Sequence, residues 1–261
     1  MDFLMSNVFL RIDIVLLVFI RFLGFFVTSP IFGGSNAPVY SKIGFSFIVS
    51  TILVSTMPTM TVTYDDHILG YAILILKELT VGAIFGFLVY LILSIFYLAG
   101  QLIDYQIGFS MISVLDPLSN IQVPITGNLY YFMILTILLI TNGHHKIIQA
   151  LFYSYQVLPI GQAVFSTDLL GNYIVILTDI FIIAIKVASP IIGAILILDF
   201  ALGILARTAP QMNMFVIGLP LKLILGLACL IVVMPLFTMI YNYVAKELFE
   251  KLFLIIKGMI P

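Results

Sequence analysis

Charged side chains are scarce in this sequence, so their positions are the first guide to any chemistry. Asp199 and Arg207 lie eight residues apart, and Pro210, Gln211, Asn213 and Lys222 follow within the same stretch. Eight residues are about two helical turns, which puts the acid and the base on one face but beyond direct bonding distance. Strongly apolar runs flank this segment on both sides. An unpaired polar group in hydrocarbon costs several kcal/mol, so protein or water rather than lipid is the expected surrounding. One reading makes Asp199 and Arg207 the ordering charges of a subunit interface or conduit. The other makes them members of helix–helix ion pairs within the chain. Arg21 is a further charge too deep in an apolar run to reach an interface comfortably. Lys77 and Glu78 are adjacent and point in different directions around a helix, which suits local pairing across a bundle.

Other reactive groupings are thinner. Asp104, Asp179 or Asp199 with Lys186 is the set that a proton relay would use. Asp65, Asp66, His67, His144 and His145 resemble metal ligands only in composition, and read better as interfacial polar loops. There is no G-x-S-x-G elbow and no phosphate-cradling glycine loop. Neither an enzyme nor a bound cofactor or metal is expected. Cys229 is the sole cysteine and lies in an apolar run, so no disulfide framework is available.

The elements that must carry these groups are membrane elements. The 261 residues are 62% hydrophobic and 9% charged, whereas soluble domains hold about 25% charged residues. Mean hydropathy is +1.24. The net charge of −1 offers no basic field for nucleic acid. Met1-Asp2 lacks the basic start of a cleaved signal, so the chain is expected to enter the membrane through its own first helices.

Helical regions are expected at about 8–32, 42–57, 68–100, 129–141 continuing as 147–158 after a cap at Asn142 to Lys146, 169–198 and 216–243; this counts as six regions, with breaks that make five to eight defensible. Pro30, Gly33, Gly34 and Pro38 shape the first break, and Pro58 closes the second helix. Gly82 and Gly86 form a GxxxG spacing that favours close helix contact, though chance supplies it often in apolar sequence. Residues 101–128 do not read as an ordinary turn: the stretch is long, carries Gly, Pro and Ser, and is still apolar. A loop of that kind seeks a concave apolar partner such as a pore wall. It reads as a movable plug that seals against water and ions, or as a re-entrant loop that fills space. The tail carries Lys246, Glu247, Glu250, Lys251 and Lys257 on one face and Leu248, Phe249, Leu252 and Phe253 on the other. That pattern predicts an amphipathic helix at the membrane surface or against a partner, with Lys246–Glu250 and Glu247–Lys251 pairs. The basic tail favours a cytoplasmic C-terminus.

The run Arg207-Thr208-Ala209-Pro210-Gln211-Met212-Asn213-Met214-Phe215-Val216-Ile217-Gly218-Leu219-Pro220-Leu221-Lys222 resembles the signature of the FliR family of flagellar export-gate proteins. Asp199 to Gly203 fits the same pattern, as do Arg21 with Ser29 to Gly33 and Pro38. Gly100 to Ile103, Gly108, Asp116-Pro117, Pro124 and Asn142-Gly143-His144 match in order, so the resemblance covers nearly the whole chain. It implies an all-α, polytopic membrane protein of tilted, broken helical hairpins. A FliP-like part over about 1–190 would be followed by a FliQ-like hairpin and amphipathic helix over about 191–261. It implies a single-copy core subunit of the type III export gate in the bacterial inner membrane and flagellar basal body. FliP-like, FliQ-like and FlhB-like subunits would be its partners, and unfolded flagellar proteins its cargo.

The family's pore plug maps onto Gly108, Phe109, Ser110, Met111, Ile112, Ser113, Val114, Leu115, Asp116 and Pro117. Arg21, Asp199, Arg207, Pro210, Gln211, Asn213 and Lys222 would serve helix packing and subunit contact. Asp104 departs from the pattern, since a small or neutral residue is expected so close to the plug. Three alternatives stand beside this reading: a homologous subunit of a virulence-type secretion system, an ion-coupled transporter, and a purely structural scaffold.

Overall fold

A computed structural model describes residues 12–33, 38–57, 62, 68–109, 124–211 and 213–260. Every regular element among them is helical: α1 (Ile12–Thr28), the one-turn α2 (Pro30–Gly33), α3 (Val39–Thr56), α4 (Ile68–Ile107), α5 (Ile125–Ile140), α6 (Gly143–Val157), α7 (Thr167–Thr208), α8 (Met214–Val233) and α9 (Phe237–Gly258). A 3-10 turn, Met234–Leu236, stands between α8 and α9. Four stretches are long and apolar enough to cross a membrane: Val39–Thr56, Leu69–Ile107, Thr167–Thr208 and Val216–Gly258. The broken pair α5 and α6 makes a fifth if it counts as one span. The chain is therefore all-α and polytopic.

Several boundaries differ from those the sequence suggests. Helix α4 continues past Gly100 to Ile107, and α5 begins at Ile125. The expected loop of residues 101–128 thus loses a helical turn or more at each end. Gly100 is tolerated inside α4 because it faces backbone: a Cβ there would lie 2.6 Å from the Thr126 carbonyl carbon. Helix α7 runs unbroken for 42 residues through Pro190 and the polar Asp199 to Arg207 stretch. Pro235 does interrupt the last hydrophobic region, because a proline lacks the N–H that a helix needs. The expected break after Thr141 does occur, with Asn142 between α5 and α6 in the left-handed region at φ 55.

Residues cluster into two compact units. The first comprises 1–92, 142–176 and 247–261. In it α1 packs on α3 and α4. Glycine makes the α1–α4 approach possible: a Cβ on Gly24 would lie 2.6 Å from the Leu79 carbonyl, one on Gly82 would strike the Arg21 carbonyl, and one on Gly86 would lie 2.6 Å from the Phe25 carbonyl. The GxxxG spacing is therefore a real contact stripe here. Thr28 adds an interhelix bond, its hydroxyl donating to the Ala83 carbonyl at 3.2 Å. Phe22, Phe25, Phe26 and Phe85 fill the interior, with Phe22 meeting Phe152 edge-on at 5.7 Å.

The tail also belongs to this unit. Leu248, Leu252, Ile255, Ile256 and Met259 are buried, and Val164 N–H donates to the Met259 carbonyl at 3.0 Å. Much of the apolar face of the amphipathic tail is therefore covered by the chain itself, while Phe253, 45% exposed, meets Tyr153 edge-on at 5.5 Å. The Glu247–Lys251 pair forms at 3.8 Å.

The second unit comprises 93–141 and 177–246. Phe237 anchors it, with ring centroids 4.6 Å from Tyr130 and 5.6 Å from Phe96. The Thr141 and Tyr241 hydroxyls share a hydrogen bond of 2.6 Å. Gly226 of α8 lies against Ile107, whose Cδ1 would be 2.5 Å from an added Cβ.

Candidate functional site

Three polar centres among the described residues hold Arg21, Asp104 and Asp199, charges to which the sequence assigns no partner. The first lies in unit one. Arg21 and Glu78 are both wholly buried, at 0% exposure. The pair is a bidentate fork: Nε donates to Oε2 at 2.6 Å and Nη2 to Oε1 at 3.1 Å. The other guanidinium face is satisfied as well, with Nη1 donating to the Ser154 hydroxyl and the Leu158 carbonyl, each at 3.3 Å. Tyr155 lies flat beneath the cation at 3.9 Å and donates its own hydroxyl to the Val18 carbonyl at 3.3 Å. Glu78 Oε1 also accepts the Gly161 N–H at 2.9 Å, and Lys77 Nζ donates to the Gly161 carbonyl at 3.3 Å. Gly161 has φ 78, a conformation that favours glycine. The pair thus binds α1, α4, α6 and the connector after α6 into one network. Full hydrogen bonding is the condition under which a buried ion pair is tolerated.

The second centre lies in unit two, at the mouth of the apolar connector. The Asp104 carboxylate accepts the Thr126 N–H through both oxygens, at 3.1 and 3.0 Å, and the Gly127 N–H at 3.4 Å. Those amides are among the first of α5, which have no partner inside their own helix. Pro124 precedes the helix and supplies no side-chain cap, so the cap comes from Asp104 instead. The Asp104 carbonyl meanwhile accepts the Gly108 and Phe109 N–H groups at 3.0 and 3.1 Å, closing the end of α4. Gly108 has φ 98, the left-handed geometry common after a helix end.

The third centre joins α7 and α8. Lys222 Nζ pairs with Asp199 Oδ1 at 2.6 Å, and Gln106 donates to Asp199 Oδ2 at 3.4 Å. The pair is partly open, with side-chain exposures of 27% for Lys222 and 34% for Asp199. Its neighbours in sequence are exposed and apolar: Ile197, Phe200 (76%), Ile204, Leu221 and Ile224.

The expected site residues fall as follows. Arg21, Asp199 and Lys222 enter the networks above. Arg207 is exposed in the last turn of α7, and Pro210 and Gln211 are exposed in the turn that follows. Asn213 is exposed, and its carbonyl accepts the Val216 N–H at 3.1 Å to start α8. Of the plug set, Gly108 and Phe109 are described; Ser110, Met111, Ile112, Ser113, Val114, Leu115, Asp116 and Pro117 lie outside the described residues. So do Asp65, Asp66 and His67. The His144 and His145 ring centroids lie 4.2 Å apart with the planes tilted by 46°, and among the described residues no three His, Cys, Asp or Glu side chains gather as a metal site.

Glu78 as the partner of Arg21, Gly161 at its back, and Asp104 as a helix cap were not assigned from the sequence. The signal available for Glu78 was a cation deep in an apolar helix whose one acid, Asp13, lies eight positions away and beyond bonding reach. For Asp104 it was a charge near the end of one helix and, 22 positions on, a helix start after Pro124 that lacks a capping side chain of its own.

Comparison with known proteins places the chain. The sequence model for bacterial export proteins, family 1, matches residues 12–248. Flagellar biosynthetic protein FliR of Bacillus subtilis (strain 168) is 38% identical over 234 residues, 87% of this chain and 88% of that protein. FliR of Escherichia coli (strain K12) is 29% identical over 238 residues, 89% of this chain and 88% of its own. FliR of Aquifex aeolicus (strain VF5) is 27% identical over 237 residues, 90% of each chain. Agreement across nearly the whole length, on a polytopic helical chain, shows that this protein belongs to the FliR family of bacterial export proteins and is a membrane component of export, not an enzyme.

Proposed function

We propose that this chain is a core subunit of the flagellar type III export gate in the bacterial inner membrane, within the flagellar basal body. It helps form and close the pore through which unfolded flagellar proteins leave during assembly. FliP-like and FliQ-like subunits surround it, with an FlhB-like subunit at the entrance. Residues 1–190 take the FliP-like part and 191–261 the FliQ-like hairpin, its helices tilted rather than straight. The connector from Gly108 to Pro117 plugs the resting pore, with Phe109, Met111, Ile112, Val114 and Leu115 as its apolar seal. Conduction is passive, and substrate or partner movement shifts the plug between closed and open populations.

The observation that carries this reading is the third polar centre. A half-open Asp199–Lys222 pair set among exposed Phe200, Ile204 and Ile224 suits neither water nor lipid. A neighbouring protein that buries the apolar rim and satisfies the charges suits both. The names of the relatives favour a flagellar over a virulence-type system. An ion relay through Asp104 is disfavoured, because its carboxylate is taken up by backbone amides.

Deleting residues 110–117 tests the plug. Cells carrying the deletion should leak ions while the gate still assembles with FliP-like and FliQ-like subunits, as read by native mass measurement of the purified complex. Unchanged conductance in an assembled deletion complex would remove the plug from the proposal.

A further inference from the structure

Lys186 stands inside the apolar run 180–198 of α7, and its side chain is exposed. Among the described residues no acid pairs with its ammonium. Asp179, the nearest acid in α7, lies seven residues away, about 10 Å along the axis. The backbone beside Lys186 is altered too. Pro190 has no N–H, so the Lys186 carbonyl loses its helical donor. The Ser189 hydroxyl donates to that carbonyl instead, at 2.9 Å. One turn beyond Ser189 the surface is bare, since a Cβ on Gly193 would meet nothing within 4 Å. Ile182, Lys186, Ser189, Gly193, Ile197 and Phe200 follow at steps of three and four residues. That spacing makes one helical stripe, about 27 Å long. Ile182, Ile197 and Phe200 are all exposed, and the whole stripe belongs to unit two.

We propose that this face of α7 docks a membrane helix of a neighbouring subunit, and that an Asp or Glu on that helix pairs with Lys186. The proposal rests on the export-gate reading, in which other subunits surround the chain, and adds the face and the chemistry of one contact. Charge and shape both point to such a helix. A cation within an apolar span is costly unless an anion meets it. The notch at Ser189 and Gly193 lets a second backbone come close, as small residues do between membrane helices. The exposed Ile197 and Phe200 then continue the contact along the partner. Phospholipid answers these features less well. Lysines reach headgroups from near the ends of a span, whereas Lys186 lies about 9 Å inside the run from Ile180 and about 18 Å from Leu198. A lipid tail also has no need of a gap at Gly193.

The test uses the full-length chain, expressed in cells with its FliP-like, FliQ-like and FlhB-like subunits. Ile197 is replaced by the photoreactive p-benzoylphenylalanine, and the cross-linked product is mapped by mass spectrometry. The expected product joins position 197 to an apolar helix of another subunit that holds an Asp or Glu within about two turns. Lys186→Glu should then lower co-purification of that subunit by more than about tenfold, because like charges would meet. Lys186→Arg should keep most of it. Changing the partner's carboxylate to lysine should restore co-purification of Lys186→Glu. The unfolding midpoint of the isolated chain in detergent should not move with Lys186→Glu, since the ammonium has no acid of its own to lose. Should that variant fail to fold, Lys186→Met strands the partner's carboxylate and should still lower recovery; recovery equal to the parent's would refute the pairing. A cross-link to a helix without an acid, or no rescue by the reciprocal exchange, would refute it as well. Phospholipid as the cross-linked product, with recovery unaffected by Lys186→Glu, would assign the face to lipid and overturn the proposal while the export-gate reading stands. If the parent chain recovers none of these subunits, the export-gate reading falls and the proposal falls with it.

Discussion

Removing the charge from Glu78 should be among the most damaging single changes in the protein, although nothing about it is visible at the surface. Glu78→Gln leaves the Arg21 guanidinium wholly buried without a counter-charge. The new NH2 group also faces donors: Arg21 Nε and Nη2 and the Gly161 N–H all point at the old carboxylate. Breaking a buried ion pair from one side costs about 3–5 kcal/mol. Arg21→Met, which strands the carboxylate, should cost a similar amount. Replacing both together, Arg21→Met with Glu78→Leu, leaves no buried charge. What stays unpaired is the Gly161 N–H and the Leu158 carbonyl, because Ser154 keeps its bond to the Leu151 carbonyl at 2.6 Å. Each orphaned group costs about 1–3 kcal/mol. The double variant should therefore lose less than the roughly 6–10 kcal/mol sum of the singles, a coupling of about 4 kcal/mol between the middles of these ranges. Unfolding of the purified chain in mixed detergent micelles, followed by circular dichroism, compares the parent, Arg21→Met, Glu78→Leu and the double variant, which close the cycle, with Glu78→Gln beside them; Glu78→Leu strands the Arg21 charge and should cost as much as Glu78→Gln. Additive singles, or a Glu78→Gln chain within about 1 kcal/mol of the parent, would refute the claim that this pair is desolvated and mutually dependent.

Two further outcomes follow from packing and from the open ion pair. Gly82→Ala drives a methyl group into the Arg21 backbone carbonyl and should destabilise the chain by about 1–3 kcal/mol in the same unfolding assay. Gly171→Ala on α7, where an added Cβ meets nothing within 4 Å, should instead be neutral or gain about 0.5–1 kcal/mol. Lys222→Met should change the stability of the isolated chain by less than about 1 kcal/mol, since its pair with Asp199 is partly solvated. The same change should sharply reduce recovery of FliP-like and FliQ-like subunits in co-purification. Full recovery of both would mean that this centre serves the chain's own helices and no neighbour.

What the sequence determined is the kind of molecule. Apolar content, the scarcity of charge and the spacing of Pro and Gly define an all-α membrane chain, and the Arg207 to Lys222 block carries the family resemblance. Prolines within the apolar runs did not by themselves set boundaries: α7 continues around Pro190 and α8 around Pro220, whereas a 3-10 turn interrupts the chain at Pro235. The partners of the charges were decided only in three dimensions. Periodicity tells which face of a helix a side chain occupies, and it is silent about which helix lies opposite and in what register. Arg21 finds Glu78 57 positions away because Gly82 and Gly86 let α1 and α4 come into contact. Asp199 bonds across a turn to Lys222, where spacing alone had drawn attention to Arg207. Asp104, out of place in a linear comparison, caps a helix that begins on the far side of the connector. The free energy of a buried charge depends on its nearest few ångströms, and that neighbourhood is assembled by packing between segments distant in the chain.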